Sequence, residues 1–281
     1  MKVEAPAKLN LGLHVLRQRG DGYHDIETVM VRLRWFDTIA VQPAQKVTMT
    51  CSDPSLPVDD DNLCMRAAHR LRSRFGIERG AQIHLTKAIP VGAGLGGGSS
   101  DAAATLAVLS QFWELPVSRE DLSGLALEIG SDVPFFLGPS PAVATGRGEV
   151  LSALTSTDGA RLELPFTFVV VKPESSVTTA DAYRWVGPSD RDRLNLREII
   201  QSCDLDRWKA ELTNDFEGVV AARVPEIGRI KELLYDTGAG FAGLSGSGSA
   251  VFGLFEQEET ANEARKIAEE MDCVCWMGRA V

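Results

Sequence analysis

The chain has 281 residues, of which 44% are hydrophobic and 24% are charged, a composition typical of a folded globular protein with one large domain or two ordinary ones. Its formal net charge of −10 excludes general attraction to nucleic acid or anionic membranes, so an anionic ligand needs a locally positive site. The odd number of cysteines, five at scattered positions, argues against a disulfide framework and favours a reducing compartment.

Cys273 and Cys275 are the only closely spaced cysteines, and no histidine is near them in the sequence, which disfavours a zinc site. The amino-terminal segment lacks the apolar core of a secretory signal, and no window approaches the roughly 18 apolar residues of a membrane span. We therefore expect a cytoplasmic protein, monomeric or homodimeric, that binds a small molecule and neither nucleic acid nor membrane.

The first half of the chain mixes strand and helix patterns. Alternating apolar residues over 9–15 predict a strand with one buried face. Further strands are predicted over 28–35, 38–41, 47–51, 82–86 and 142–145, and helices over 62–75 and 99–113. Ser118 and Asp121 form an N-cap signature for another helix, which Gly130 ends.

The second half continues the mixture after a polar, irregular stretch over 151–164, which predicts a domain boundary. Strands are predicted over 166–171, 239–244, 250–255 and 274–277, and helices over 179–186, 194–201, 215–222, 225–235 and 258–271. The pattern predicts two α+β domains, residues 1–155 and 156–281.

The most distinctive segment is a glycine-rich turn that opens into the helix predicted at 99–113. Five glycines occupy seven positions, and the segment reads Pro90, Val91, Gly92, Ala93, Gly94, Leu95, Gly96, Gly97, Gly98, Ser99, Ser100 and Asp101. Glycine permits left-handed backbone and close approach of a ligand, and the start of a helix presents free N–H groups. The segment therefore predicts a binding site for phosphate.

The glycine loop matches neither of two common nucleotide-binding motifs. It lacks the Gly-Lys-Ser/Thr ending of a P-loop and the acidic residue of a dinucleotide fingerprint. An ordinary turn capped by Ser99 or Asp101 is the structural alternative. Ser100 is a candidate ligand for a metal ion held by phosphates, and Asp101 is either part of the site or a helix cap.

Four further motifs carry polar side chains suited to a site. Ser245, Gly246 and Ser247 belong to a second serine–glycine cluster, between two predicted strands, which suits an anion or a sugar. The spacing of Lys8 and Asn10 places them on one strand face, where a lysine stabilises developing negative charge if the face is not simply solvated.

Tyr23 and His24 follow a polar turn, and such a pair can stack on a flat polar ring and hydrogen-bond to it. Asp132 comes directly after a predicted helix in an apolar setting, so it is a candidate general base or a turn cap. Taken alone, each of these residues also fits a purely structural role.

Together these motifs resemble the GHMP kinases, the family of galactokinase, homoserine kinase, mevalonate kinase and phosphomevalonate kinase. The matching segments are 6–11, 21–24, 90–102, 132–135, 179 with 183, 214–215 and 245–252. The resemblance implies a two-domain α+β kinase, with an amino domain similar to the second domain of ribosomal protein S5 and a ferredoxin-like carboxyl domain. It also implies ATP and Mg²⁺, with ATP along residues 90–101.

Within the family, the motifs resemble most the branch that phosphorylates the 2-hydroxyl of 4-diphosphocytidyl-2-C-methyl-D-erythritol in the non-mevalonate isoprenoid pathway. This resemblance implies that Asp132 draws the proton from that hydroxyl, assisted by Lys8. The substrate residues it implies are Asn10, Tyr23, His24, Asp132, Thr179, Ser245, Gly246 and Ser247. The alternatives are another small-alcohol kinase, for mevalonate or homoserine, and an ATP-binding protein without catalysis.

Overall fold

The computed structural model describes residues 1–187 and 193–281, and the chain divides into two compact units. Unit 1 comprises Met1–Ala7, Trp35–Val91 and Gly96–Gly138, and unit 2 comprises Lys8–Arg34, Gly92–Leu95 and Pro139–Val281. The boundary predicted after residue 155 lies within unit 2, and this assignment of domains stays a prediction.

Two long strands run from one unit into the other. They are β1 (Lys2–Gln18) and β2 (His24–Ala44), which pair with each other. The strands predicted separately over 28–35 and 38–41 are thus one strand. The prediction that β1 has a single buried face is wrong, because Asn10 and His14 are as buried as the leucines beside them. Hydrogen bonds make this burial tolerable: Asn10 donates to Thr28, and His14 contacts Thr213.

Unit 1 contains three further groups of elements. They are the strands β3 (Thr48–Cys51) and β4 (Gly80–Thr86), the helices α1 (Leu63–Phe75), α2 (Gly97–Phe112) and α3 (Arg119–Ile129), and a short 3₁₀ helix at Val133–Leu137 that was not predicted. The predicted cap of α3 is confirmed, because Ser118 and Asp121 form a reciprocal capping box. β4 lies antiparallel to the second half of β2, with Thr38 opposite Thr86.

Unit 2 is built on an antiparallel sheet in the order β10-β7-β9-β8. The strands are β5 (Ala142–Thr145), β6 (Val150–Ala153), β7 (Thr167–Lys172), β8 (Phe241–Leu244), β9 (Val251–Phe255) and β10 (Val274–Gly278), and β5 and β6 pair outside that sheet. The helices are α4 (Thr179–Trp185), α5 (Leu196–Gln201), α6 (Leu205–Glu211), α7 (Asp215–Ala221), α8 (Pro225–Asp236) and α9 (Glu258–Glu269). β6 and α6 were not predicted.

The core of unit 2 explains why its sheet forms. All residues of β7, β8 and β9 are buried, which fits strands covered on both faces. Phe252 on β9 lies 5.9 Å from Phe241, and Phe241 lies 6.0 Å from Trp208 of α6, measured between ring centroids. The aromatic contacts therefore join α6 to the sheet. The names S5-like and ferredoxin-like for the two domains stay predictions.

Replacing Phe252 by Ala is expected to lower the free energy of unfolding by about 3–5 kcal/mol, because the side chain is 1% exposed and leaves a cavity. Val274→Ala on β10 is the control, since Val274 is 50% exposed and its truncation costs less than about 1 kcal/mol. Urea unfolding of both variants measures the difference. Equal losses would contradict the assignment of Phe252 to the core.

Candidate active site

The glycine loop has the backbone that its sequence predicts. Gly92, Gly94 and Gly96 have φ values of 66°, 75° and 67°, a region that other residues seldom occupy. Gly96 is the N-cap of α2, and no side chain caps the helix. The alternative in which Ser99 or Asp101 caps it is therefore wrong, because the helix begins at Gly97 and the left-handed Gly96 precedes it.

An uncapped helix start leaves N–H groups available for an anion. Gly98, in the first turn of α2, is exposed, and a Cβ built there would meet only Leu63, at 3.8 Å. Ser100 Oγ is buried and has no hydrogen-bond partner within the described ranges. A buried hydroxyl without a hydrogen-bond partner costs free energy unless a ligand supplies that partner. These features fit a phosphate group with an associated metal ion.

The middle of the glycine loop contacts the serine–glycine cluster, and both belong to unit 2. Ser245 Oγ donates to the carbonyl of Gly94 at 2.9 Å, and the Ala250 N–H donates to the carbonyl of Ala93 at 3.1 Å. A Cβ at Gly94 would lie 2.2 Å from the backbone oxygen of Ser245. This close approach excludes every other residue at 94, a reason that the sequence alone did not reveal.

Lys8 and Asn10 come together as their spacing predicts, and they are buried rather than solvated. The ammonium of Lys8 donates to Asn10 Oδ1, and Asn10 Nδ2 donates to Thr28 Oγ1 at 3.0 Å. A Cβ at Gly246 would lie 3.0 Å from Asn10 Oδ1 and 3.7 Å from Lys8 Nζ. The serine–glycine cluster thus lies directly against this buried cation.

Two further residues hold the serine–glycine cluster in place. Thr179 Oγ1 lies 3.3 Å from Ser247 Oγ, which brings together two residues predicted for the substrate. The side-chain amide of Asn214 donates to the carbonyls of Leu244 and Gly246 at 2.9 and 2.8 Å. Asn214 is also the N-cap of α7. The family motif includes Asn214 but did not predict its hydrogen bonds to the serine–glycine cluster.

In unit 2, His24 has an aromatic neighbour and Tyr23 has a cationic one. The His24 ring stacks on Tyr183 with 4.8 Å between centroids. Tyr23 is 55% exposed, and the Arg147 guanidinium lies 4.9 Å from the centre of its ring. A cation against one face of Tyr23 leaves the other face for a flat ligand. No sequence motif predicted a site role for Arg147.

Asp132 belongs to unit 1, whereas Lys8 belongs to unit 2. Asp132 is half-buried and directly precedes the 3₁₀ helix, and its side chain does not cap that helix. Asp132 is therefore not a side-chain cap of this 3₁₀ helix, and its roles as general base or turn cap stay predictions.

Unit 1 also contains a buried ion cluster that no sequence motif predicted. Lys87 Nζ lies 2.5 Å from Asp37 Oδ2 and 3.0 Å from Asp101 Oδ2, and all three side chains are nearly inaccessible. Burial raises the pKa of Asp101 to about 7, because the charge of Lys87 offsets it only partly and Asp37 adds repulsion. Burial opposes the charge on Lys87, but Asp101 and Asp37 raise its pKa overall.

Comparison with known proteins agrees with these features. The model of the GHMP kinases N terminal domain matches residues 62–138, and that of the GHMP kinases C terminal domain matches residues 196–272. A 4-diphosphocytidyl-2-C-methyl-D-erythritol kinase of Salinibacter ruber is 50% identical over 96% of this chain and 95% of its own length. The enzyme of the same name from Chlorobium phaeobacteroides is 44% identical over 96% and 94%.

Solved structures give the same picture. A crystal structure of 4-(cytidine 5'-diphospho)-2C-methyl-D-erythritol kinase is 35% identical, covers 100% of this chain and 99% of its own, and has a TM-score of 0.82. A mevalonate kinase structure has a TM-score of 0.75 at 16% identity, over 100% of this chain and 99% of its own, which shows the fold alone. The chain belongs to the GHMP kinase family. It is an ATP-dependent small-molecule kinase of α+β fold.

Two negative findings apply to the described residues, 1–187 and 193–281. They contain no helix that is both long enough and apolar enough to span a bilayer. They also contain no group of three or more histidine, cysteine, aspartate or glutamate side chains arranged to hold a metal ion.

Asp101→Asn is expected to flatten the pH dependence of stability. The pKa of Asp101 rises on folding from 3.8 to about 7, so between these values the folded chain holds a proton that the unfolded chain has released. The stability that this proton contributes is present at low pH and is lost as the pH rises through 7. The groups facing Asp101 are Lys87, Asp37 and the thiol of Cys64, whose pKa burial raises.

Urea unfolding of the two proteins, in steps from about pH 5 to about pH 8, measures this effect. As the pH rises over this range, the free energy of unfolding of the unmodified chain is expected to fall by about 2 kcal/mol relative to that of Asp101→Asn. The fall is roughly 1.4 kcal/mol per pH unit in the lower part of the range. A difference between the two that stays constant with pH would contradict the raised pKa.

Proposed function

We propose that this kinase transfers the γ-phosphoryl group of ATP to the 2-hydroxyl of 4-diphosphocytidyl-2-C-methyl-D-erythritol, a step of the non-mevalonate isoprenoid pathway. The observation that carries the proposal is the 50% identity over 96% of the chain to a protein named for this reaction. We place the reaction in the cytoplasm, in keeping with five unpaired cysteines. The proposal includes no nucleic-acid or membrane partner.

The nucleotide end of the site is proposed to be the glycine loop, residues 90–101. The N–H groups at the start of α2 bind the phosphates, and the exposed Gly98 allows them to approach the backbone. Ser100 Oγ, which is buried without a partner, is the proposed ligand for Mg²⁺. ATP supplies the phosphoryl group, and Mg²⁺ neutralises the charge on its oxygens.

The substrate end is proposed to be a set of aromatic side chains in unit 2. The cytosine ring stacks on the exposed face of Tyr23, and His24 hydrogen-bonds to its edge while Tyr183 keeps the imidazole in place. Mevalonate and homoserine have no ring to stack. The aromatic set therefore favours the cytidine-bearing substrate over these smaller alcohols.

The chemical step is assigned to Asp132 and Lys8. Asp132 accepts the proton of the 2-hydroxyl as that oxygen attacks the phosphorus, and Lys8 stabilises the developing negative charge. Asn10 fixes the ammonium of Lys8 through its hydrogen bond. Thr179 and the cluster around Ser245, Gly246 and Ser247 hold the substrate, because a glycine–serine turn beside a buried cation suits an anionic group.

A coupled assay of ADP release tests the proposed reaction. ATP and Mg²⁺ are supplied with the cytidyl substrate, with mevalonate, with homoserine or with no acceptor. We expect turnover with the cytidyl substrate alone. Turnover with another alcohol would overturn the substrate, and binding of ATP without turnover on any acceptor would overturn catalysis.

Asp132→Asn is expected to lower kcat by roughly 10²–10⁴-fold, because the amide cannot accept the proton. KM for both substrates should stay close to that of the unmodified enzyme. Steady-state kinetics measure both constants. A kcat within a few-fold of normal would remove Asp132 from the role of general base.

Gly98→Val tests the nucleotide end of the site. The protein has room for a side chain at 98, so a loss of at least about 10-fold in ATP affinity reports the approach of the ligand rather than a misfolded loop. Gly124→Val is the matched control, since Gly124 also lies within a helix, α3, and a Cβ there meets nothing within 4 Å. Calorimetric titration with ATP measures the affinity. An unchanged affinity in Gly98→Val would exclude the glycine loop as the ATP-binding site.

A further inference from the structure

Asp37 is a fully buried carboxylate that none of the predicted roles uses. Its Oδ1 accepts the backbone N–H groups of Ala88 and Ile89 at 2.5 and 2.9 Å, and its Oδ2 accepts the ammonium of Lys87. These three donors are consecutive residues that lead directly into Pro90. One side chain therefore fixes the whole segment in front of the glycine loop.

The same cluster reaches the far side of the loop through Lys87. Lys87 Nζ also donates to Asp101 Oδ2 at 3.0 Å, and Asp101 lies in the second turn of α2. A Cβ at Gly97 would lie 3.2 Å from Lys87 Nζ and 3.6 Å from Asp37 Oδ2. The cluster is therefore packed against the first residue of the helix that presents the phosphate-binding N–H groups.

The sheet explains why these residues meet. β2 and β4 are antiparallel with Thr38 opposite Thr86, so the next pair in the register is Asp37 and Lys87. A buried carboxylate is tolerated only where charges and hydrogen bonds compensate its desolvation. Asp37 has three such partners, and all of them lie in the segment before the loop. Displacing that segment would leave a buried charge uncompensated, which makes its position rigid.

We propose that Asp37 is a positioning residue for ATP binding, which acts through Lys87 and the 88–89 backbone to hold the segment before the glycine loop against the start of α2. This inference rests on the proposed binding of ATP at that loop. Asp37 does not touch the nucleotide. Its contribution is to keep the helix N–H groups preorganised, so that ATP does not have to order them on binding.

Asp37→Asn tests the proposal, because the amide retains one acceptor oxygen and the size of the side chain but loses the charge that holds Lys87. We expect KM and the dissociation constant for ATP to rise at least about 10-fold, with KM for the alcohol substrate within about three-fold of normal. Hydrogen exchange of the amides over 88–100 in the free enzyme should be faster. A change of kcat alone, or an unchanged affinity for ATP, would overturn the proposal.

A control separates positioning from general loss of stability. Met49→Ala removes a buried side chain of β3 in the same unit, opposite Ile83 and so four residues along the chain from Lys87, and is expected to destabilise the fold without weakening ATP binding. An equal loss of ATP affinity in Met49→Ala would overturn the proposal. If Asp37→Asn does not fold, Asp37→Glu keeps the charge but displaces the carboxylate, and it is expected to show the same selective loss for ATP.

Measuring Gly98→Val beside Asp37→Asn distinguishes a failure of the positioning role of Asp37 from a failure of the proposed nucleotide site. If Gly98→Val abolishes ATP binding and Asp37→Asn leaves it unchanged, the loop remains the nucleotide site and the positioning role of Asp37 is wrong. If Gly98→Val leaves ATP affinity unchanged, the nucleotide site itself is wrong, and the inference about Asp37 falls with it.

Discussion

The contact between Gly94 and Ser245 is the constraint on which the candidate site depends. A side chain at 94 would lie 2.2 Å from the Ser245 carbonyl oxygen, so the two loops approach each other only because one of them is glycine. The serine–glycine cluster that results also lies against Lys8 and Asn10. One steric condition therefore joins three segments that are distant in the chain.

Charge is distributed in this kinase so that each buried ion has fixed partners. The chain carries a net charge of −10, yet Lys8 and Lys87 are held in buried positions by Asn10 and by two carboxylates. ATP is an anion, so the overall field repels it and its site needs a local positive group. The two carboxylates around Lys87 cancel its charge, whereas Lys8 is held by a neutral amide and keeps its charge.

Nearly all of the candidate site residues could be named from the sequence, because their motifs are contiguous. The glycine loop, Lys8 with Asn10, and Tyr23 with His24 are short segments whose residue types indicate their chemistry. Arg147 and Asp37 could not be found in this way. Each is a single charged residue whose partners, Tyr23 and Lys87, become neighbours only through strand pairing and loop packing.

The sequence by itself determined the α+β class, the positions of most helices, the family and the two glycine-rich loops, since local spacing and backbone requirements are encoded in neighbouring residues. Only the tertiary structure decided that β1 is buried on both faces, that Gly96 rather than a side chain precedes α2, and that Asp37 holds Lys87. These features depend on register and on desolvation, which arise from contacts between distant segments and leave no periodic signal in the chain.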